Sequence, residues 1–144
     1  MSDLRPFERN LPMALLRARE AVMARFRPIL RDHGLTEQQW RIIRALEGED
    51  DLDISTLAER TLLLMPSLTR IVTGMEEAEL VRRVTDTQDA RRRRVRLSRR
   101  GQATFRAVAP LSEAAYAEIE AGLPGGQIAT LYDLLDALEP ESES

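Results

Sequence analysis

The sequence predicts a mainly α-helical protein with one small β-hairpin. Apolar residues recur every three or four positions before residue 79 and again after residue 98, which is the period of an amphipathic helix. Between those segments, the runs 80–84 and 93–97 combine valine or leucine with arginine, and a polar stretch separates them, as in two paired strands. The 144 residues are enough for one domain with its own core, so we expect a single domain over 1–144.

The first predicted helix runs from Phe7 to about Arg31, and His33-Gly34 ends it. Its apolar residues fall in steps of three and four on one face: Leu15, Ala18, Val22, Phe26 and Ile29. Thr36 and Gln39 have the spacing of a capping box, in which each side chain accepts a hydrogen bond from the other residue's backbone N–H. A second, shorter helix is therefore expected after Thr36.

Two more short helices follow the second one. We interpret the acidic stretch 47–53 as a turn, after which Ser55 can cap a third helix. Pro66 suits the first turn of a helix, where a backbone N–H has no partner within the helix, and it opens a fourth helix that ends near Ala78. Two short helices separated by a few residues are typical of a helix-turn-helix.

A hairpin and two further helices complete the prediction. The polar turn 85–92 joins the two strands into a wing, and Ser98 leads into a long helix that ends near Ala121. Pro110 predicts a kink or a break in that helix near Ala109. The breaker 123–126 precedes a last amphipathic helix, and the acidic tail from Glu139 is expected to fray.

The predicted fold is therefore a winged helix-turn-helix lobe, 36–100, flanked by helices at 7–33 and 101–139. The flanking helices carry apolar faces that one small domain could not fully cover. We expect them to be dimerisation helices of a homodimer. The alternative is an ordinary helical bundle that buries these faces within one chain.

The charge of the chain is strongly uneven. Residues 82–106 hold ten arginines and two aspartates, about +8, although the whole chain carries a net charge of −3, which leaves about −11 for the remainder. A confined basic segment on an acidic body is typical of a protein that binds nucleic acid. The alternative for the run 91–94 is a solvated or disordered charged loop.

Composition excludes several kinds of site. The chain has no cysteine, which excludes a disulfide framework, a thiolate zinc site and a thiol switch, and a single histidine cannot build a histidine-rich metal site. We therefore expect no cofactor and no metal. No stretch approaches the roughly 20 apolar residues that span a bilayer, and the N-terminus lacks a signal-peptide core, so we expect a cytoplasmic protein that does not contact a membrane.

Several motifs, in this order and spacing, resemble the signature of the MarR family of regulators. They are Leu57-Ala58-Glu59-Arg60, Pro66-Ser67-Leu68-Thr69-Arg70-Ile71-Val72, Asp89-Ala90-Arg91, and Val95-x-Leu97-Ser98 with Gly101. The resemblance implies a dimeric regulator that binds a palindromic operator in double-stranded DNA. The chain departs from the family pattern at Leu64, Gly74 and Glu79, where the family usually has a capping serine, no glycine and a glycine, respectively.

The fourth helix supplies candidate base-reading residues. Leu68, Ile71, Val72 and Met75 form its apolar stripe, which turns four polar residues away from the core: Ser67, Thr69, Arg70 and Thr73. Arginine can bond guanine through two hydrogen bonds, so Arg70 is the strongest candidate. For Ser67 and Thr69 the alternative is hydrogen bonding at the helix end with no base contact.

The hairpin supplies a second set of candidates. An arginine near its tip can enter the narrow minor groove of A·T-rich DNA, and Arg91 is so placed. The resemblance implies that Asp89 holds the Arg91 guanidinium in position. Arg92, Arg93 and Arg94 add attraction to phosphates, or they are simply solvated charges.

Members of the family respond to small molecules, oxidants or metals. The absence of cysteine excludes a thiol-based oxidant sensor, and a single histidine cannot form a histidine-rich metal site, so a small organic effector is the remaining class of input. Two segments resemble the branch that controls homoprotocatechuate (aromatic acid) degradation operons: Leu11-Pro12-Met13-x-Leu15-Leu16-Arg17-x-Arg19-Glu20 and Leu35-Thr36-Glu37-Gln38-Gln39-Trp40-Arg41. A small aromatic carboxylic acid that releases a repressor from DNA is therefore the expected input.

Arg19 lies within the apolar stripe of the first helix, where a charge needs a partner. One hypothesis is an effector carboxylate, with Met13, His33 and Trp40 nearby in the same pocket. The alternative is a structural ion pair with Glu20, Glu37 or the other subunit, with Trp40 as a core residue and His33 as a helix-end residue.

Few alternative functions are compatible with the sequence. The sequence has no glycine-rich phosphate loop and no catalytic spacing around His33, so we do not expect an enzyme. A DNA-binding regulator without a ligand, or an activator, remains open, as does a protein-interaction module that has lost DNA binding.

Overall fold

The structure, a computed structural model, describes residues 3–85, 88–89 and 91–141. Six helices and three strands occur in these ranges: α1 Leu11–Asp32, α2 Glu37–Leu46, β1 Leu52–Asp53, α3 Ile54–Thr61, α4 Met65–Glu77, β2 Val81–Thr85, β3 Arg93–Leu97, α5 Arg99–Ala121 and α6 Ile128–Leu138. Short 3-10 turns at Phe7–Arg9 and Pro124–Gly126 precede α1 and α6. The predicted fold class, mainly α with a winged helix-turn-helix, is confirmed.

The capping box at the start of α2 is present as predicted. The Thr36 hydroxyl accepts from the Gln39 N–H at 3.1 Å, and the Gln39 side chain accepts from the Thr36 N–H at 3.0 Å. The first helix, in contrast, begins later than predicted, because Asn10 caps it and accepts a hydrogen bond from the Met13 N–H at 2.9 Å. The residues from Phe7 to Arg9 form a separate 3-10 turn.

The acidic stretch 47–53 does not end as a turn. Its last two residues form β1, which pairs antiparallel with β3 so that Leu52 faces Val95 and the sheet order is β1-β3-β2. Because β1 has only two residues, no alternating pattern could reveal it. The wing is therefore a three-stranded sheet.

Two further expectations about helix ends and breaks were wrong. Asp53, not Ser55, caps α3, because its carboxylate accepts from the Ser55 N–H at 3.2 Å and the helix already begins at Ile54. Helix α5 continues through Pro110 as one helix, so the expected alternative of a break near Ala109 is wrong. Buried residues on both sides of the proline, Val108 and Ser112, anchor the helix to its neighbours and offset the lost hydrogen bond.

The hydrophobic core lies inside the winged lobe. The predicted stripe of α4 faces it, since Leu68, Val72 and Met75 are buried and Ile71 is half-buried. The rest of the core comes from α2, α3, the sheet and the first half of α5: Ile42, Ile43, Leu46, Leu57, Val81, Val95 and Val108. This packing fixes which face of α4 points to solvent.

The flanking helices leave large apolar side chains exposed. Helix α6 has no buried residue. Exposed apolar residues lie on all three flanking helices: Leu11, Leu15, Leu16 and Val22 on α1, Leu111 and Tyr116 on α5, and Leu131, Leu134, Leu135 and Leu138 on α6. Within the described ranges, no helix combines the length and the hydropathy that a membrane span requires.

The end of α4 adopts a Schellman motif around a non-glycine residue. Glu79 has a left-handed φ of 63°, while the Leu80 N–H bonds the Met75 carbonyl at 2.9 Å and the Glu79 N–H bonds the Glu76 carbonyl at 3.0 Å. A left-handed conformation costs an L-residue roughly 1–2 kcal/mol, which glycine avoids. Glutamate at this position therefore strains the link between α4 and the wing.

Glu79→Gly should raise the free energy of unfolding by about 1 kcal/mol, because glycine removes the left-handed strain. Chemical denaturation of the wild type and the variant measures the difference. Glu79→Ala is the matched control, since it removes the same carboxylate but keeps a Cβ. Equal stability changes in the two variants would attribute the effect to charge and contradict the backbone explanation.

Candidate nucleic-acid interface

Helix α4 presents a polar face opposite its buried stripe. Arg70 and Thr73 are exposed, and Ser67 and Thr69 are half-buried. The helix begins at Met65, with Pro66 in its first turn, and Leu64 supplies no side-chain cap. The four polar residues predicted from helical periodicity therefore lie on the outer side of the recognition helix.

Thr73 is already engaged by the protein. Its hydroxyl donates to the Thr69 carbonyl at 2.9 Å and accepts from Arg83 Nη2 on β2 at 2.7 Å. Arg83 Nε also lies 3.5 Å from Glu76 Oε1. Sequence patterns gave no sign of this contact, because Arg83 and Thr73 belong to different elements.

The tip of the wing projects Arg91 into solvent. Asp89 Oδ1 accepts from the Arg91 N–H at 3.0 Å and lies 3.8 Å from Arg91 Nε. The Asp89 carbonyl also accepts from the Arg92 N–H at 3.0 Å. The Arg91 side chain is nevertheless 96% exposed, so Asp89 shapes the turn while the guanidinium reaches outwards.

The four consecutive arginines of the wing have different surroundings. Arg94 Nε bonds Asp51 Oδ1, and both side chains are only 28% exposed. Arg92 Nε lies 3.7 Å from Asp53 Oδ2, whereas Arg93 is exposed. Strand β1 and the residue before it thus bring two aspartates beside Arg92 and Arg94, a difference that the sequence alone did not show.

The four candidate effector residues do not form one cluster within a single chain. Met13 and His33 lie near opposite ends of α1, roughly 30 Å apart at 1.5 Å per residue. His33 Nδ1 lies 2.8 Å from the Ile29 carbonyl and ends the helix. Trp40 is half-buried and stacks on Phe105 with ring centroids 5.9 Å apart.

Arg19 forms an ion pair with Glu37 at the start of α2, and its guanidinium also lies 3.9 Å from Glu20. The Glu37 carboxylate, 18% exposed, is surrounded by two further guanidiniums, Arg27 at 3.6 Å and Arg41 at 3.2 Å. Hydrogen bonds from Arg27 lower the pKa of Glu20, so that carboxylate stays ionised. Three arginines therefore converge on one carboxylate at the start of α2.

A cavity of about 310 Å³ opens next to this arginine group. Its lining residues come from α1, α2 and the turn between them: Arg27, Leu30, Arg31, Leu35, Thr36, Glu37 and Gln38. In the described part of the chain, acidic and histidine side chains nowhere gather in the groups of three that a metal site requires. The lining of the cavity combines arginine side chains and apolar leucines with the Glu37 carboxylate.

Comparison with known proteins gives consistent matches. A MarR family model matches residues 33–92. The homoprotocatechuate degradative operon repressor of Escherichia coli is 43% identical over 127 residues, covering 88% of this chain and 86% of that protein. The transcriptional regulator FarR of Neisseria gonorrhoeae is 39% identical over 129 residues, covering 90% and 88%.

The fold also matches solved structures. NadR in complex with 4-hydroxyphenylacetate aligns with a TM-score of 0.79 at 36% identity, covering 95% of this chain and 97% of NadR. CouR bound to a 23-mer DNA duplex aligns with a TM-score of 0.81 at 22% identity, covering 96% and 100%, and supports the fold alone.

Proposed function

Because this chain belongs to the MarR family of transcriptional regulators, we propose that it binds a palindromic operator as a homodimer and leaves it when a small aromatic carboxylic acid binds. One observation supports DNA binding most strongly: the same lobe presents both the polar face of α4 and the exposed Arg91 at the wing tip. A helix for the major groove and an arginine for the minor groove are the two readers that such a lobe needs.

The second copy is the occupant that fits the exposed apolar faces. Helix α6 has 11 residues and no buried side chain, and a helix of that length is marginal in water without tertiary packing. Burial of α6 against a partner's α1 and α5 would remove its exposed leucines from water. We therefore assign 36–100 to the DNA-binding lobe, and 7–33 and 101–139 to the dimer.

DNA contacts divide between the helix and the wing. Arg70 reads a base edge, with Ser67 and Thr69 beside it on the same helix. Arg91 enters the minor groove from the turn shaped by Asp89, and Arg93 lies near the phosphates. Arg92 and Arg94 add charge, although Asp53 and Asp51 partly neutralise them.

Arg70→Ala should lower the ratio of operator affinity to affinity for an unrelated duplex, because a base-reading pair contributes about 1–3 kcal/mol of discrimination. Competition binding with the two duplexes at the same salt concentration measures this ratio. Arg106→Ala on α5 removes the same charge from an exposed residue outside the helix-turn-helix and should leave the ratio unchanged. An unaltered ratio in the Arg70 variant would remove its base-reading role.

The effector part of the proposal rests on the arginine group around Glu37. The Escherichia coli relative is named for a homoprotocatechuate operon, and NadR was solved with 4-hydroxyphenylacetate, both aromatic acids. An incoming carboxylate would compete with Glu37 for Arg19, while Trp40 offers an aromatic surface nearby. Because Met13 and His33 lie at opposite ends of α1, only one of them from each protomer can join a given pocket.

Effector binding would weaken DNA binding by changing the spacing of the two recognition helices. Paired half-sites lie roughly 34 Å apart, one turn of DNA, so a shift of the lobes against α1 disfavours simultaneous contact. A ligand shifts this equilibrium only by its differential affinity for the two arrangements. A regulator without a ligand is the second candidate, since Glu37 already satisfies Arg19 within one chain.

Arg19→Ala should abolish release of the operator by an aromatic acid and should spare the DNA affinity itself, because Arg19 is not among the proposed DNA contacts and Glu37 keeps Arg27 and Arg41 as partners. Titration of the protein–DNA complex with 4-hydroxyphenylacetate and related acids, followed by fluorescence anisotropy, measures the response. Arg25→Ala is the matched control, since it removes another α1 ion pair, with Glu118 at 3.2 Å. A normal response in the Arg19 variant would leave Arg19 as a structural residue.

A protein that acts on an operator works beside the chromosome. Since the curated relatives are bacterial regulators, we also propose the cytoplasm as its location.

A further inference from the structure

We propose that Arg83 is a positioning residue that fixes the wing to the recognition helix, and that Thr73 is its partner instead of a base-reading residue. This inference rests on the proposed DNA-binding function. Three observations support it. Arg83 contacts α4 at two residues, the Thr73 hydroxyl already donates its hydrogen within α4, and the Glu76 carboxylate lies beside the Arg83 guanidinium.

The first observation is the geometry of the contact. Arg83 lies in the middle of β2, where it pairs with Val95 of the central strand, so its backbone belongs to the wing. Its guanidinium donates through Nη2 to Thr73 Oγ1 at 2.7 Å, and its Nε lies 3.5 Å from Glu76 Oε1. Thr73 and Glu76 are three positions apart and neighbour each other on α4, so one side chain contacts one face of the helix at two points.

The second observation concerns what Thr73 has left to offer. A threonine hydroxyl has one hydrogen to donate and two lone pairs to accept with. Here the hydrogen goes to the Thr69 carbonyl at 2.9 Å, and one lone pair receives Arg83. The hydroxyl is therefore oriented towards the wing, and it has no hydrogen to donate to an acceptor on a base edge.

The third observation concerns the charge of Arg83. The neighbouring Glu76 carboxylate compensates the guanidinium, and the Arg83 side chain is only 33% exposed. A phosphate ligand would be expected to keep its charge open to solvent, as Arg91 does with 96% of its side chain exposed. The Arg83 guanidinium is therefore held by contacts within the protein, and it affects DNA binding by positioning α4.

The consequence is a coupling between the two DNA readers. Sequence-specific binding requires α4 in the major groove and Arg91 in the minor groove at the same time, which fixes the angle between the helix and the wing. Non-specific binding depends on phosphate charge and tolerates changes in that angle. Loss of the Arg83 bridge should therefore weaken operator binding selectively.

A double-mutant cycle tests the bridge. The variants are Thr73→Val, Arg83→Gln and the double variant, with Arg82→Gln as the charge-matched control on the adjacent, exposed residue of β2. Affinity for the operator and for an unrelated duplex is measured across a salt series. Thermal unfolding of each variant reports whether it is folded.

The bridge predicts that each single substitution weakens operator binding by about 3- to 10-fold and that the double variant is no weaker than the weaker single one, as expected for residues that act as one unit. Thr73→Val should leave the affinity for the unrelated duplex unchanged. Glu76→Gln removes the charge beside Arg83 but leaves the hydrogen bond from Arg83 to Thr73 in place. It should therefore weaken operator binding less than the other two single substitutions.

Two outcomes would overturn the proposal. If Thr73→Val has no effect while Arg83→Gln lowers the salt slope by about 1, Arg83 is a direct phosphate ligand. If the losses multiply in the double variant, Thr73 reads DNA independently of Arg83. Absence of operator binding in the wild type and in Arg82→Gln would instead count against the proposed function, which keeps the two failures distinct.

Discussion

Arg91→Ala should weaken operator binding by about 1–3 kcal/mol, a loss of roughly 5- to 150-fold, with the dimer and the stability of the protein unchanged. The side chain is 96% exposed and contributes nothing to the core, so its removal leaves the fold intact. Its guanidinium is the part of the wing tip that reaches a minor groove, where negative potential is concentrated in narrow A·T tracts.

Two matched variants separate the role of Arg91 from simple charge. Arg91→Lys keeps the positive charge but loses the planar guanidinium, and Arg93→Ala removes an equal charge from the neighbouring strand. We expect both to weaken binding less than Arg91→Ala at the same salt concentration. Equal losses for Arg91→Ala and Arg93→Ala would reduce Arg91 to one phosphate attraction among several.

Gly101→Ala should destabilise the protein by about 1–3 kcal/mol or more, the range measured for overpacked sites. A Cβ at Gly101 would lie 2.1 Å from the Leu80 carbonyl oxygen and 3.1 Å from Leu97 Cδ2. The carbonyl cannot move away easily, because it accepts a hydrogen bond from the Ser98 N–H at 3.1 Å at the junction of wing and α5. Denaturant unfolding of the two proteins measures the loss.

Gly74→Ala is the matched control for that measurement. Gly74 also lies within a helix, but a Cβ there would meet no atom within 4 Å other than the adjoining backbone of its own helix. Alanine should therefore stabilise α4 by about 0.5–1 kcal/mol, since glycine loses more backbone freedom on folding. If Gly101→Ala were as stable as Gly74→Ala, the close approach of α5 to the wing would not hold in solution.

Helices and strands with clear periodicity could be predicted from the sequence. The bounds of α5 and β3 agree with the prediction, and the Thr36 capping box is present, because each depends on residues near one another in the chain. Strand β1 was missed because two residues become a strand only through pairing with β3, more than 40 positions away. The expected break at Pro110 does not occur, because packing of the residues around the proline keeps α5 continuous.

The parts of the candidate site that depend on local periodicity could also be predicted, whereas the contacts between elements could not. Periodicity placed Arg70 on the outer face of α4, since burial of Leu68 and Val72 decides that face locally. The partner of Thr73 came from the wing, and no spacing within α4 could show it. Gly101 belongs to a motif in the sequence, but only the structure shows the carbonyl oxygen that excludes a side chain there.

The most direct test of sequence-specific DNA binding is a fluorescence-anisotropy titration of the wild-type protein with DNA from upstream of its own gene. An unrelated duplex serves as the reference, at two salt concentrations and with or without a panel of aromatic acids. A sequence-specific repressor should bind the upstream DNA tightly, at least about 1,000-fold more tightly than the reference, with an affinity that weakens with salt, and one class of acid should release it. Equal affinity for the upstream and unrelated duplexes would mean that the protein is not a sequence-specific regulator of that DNA.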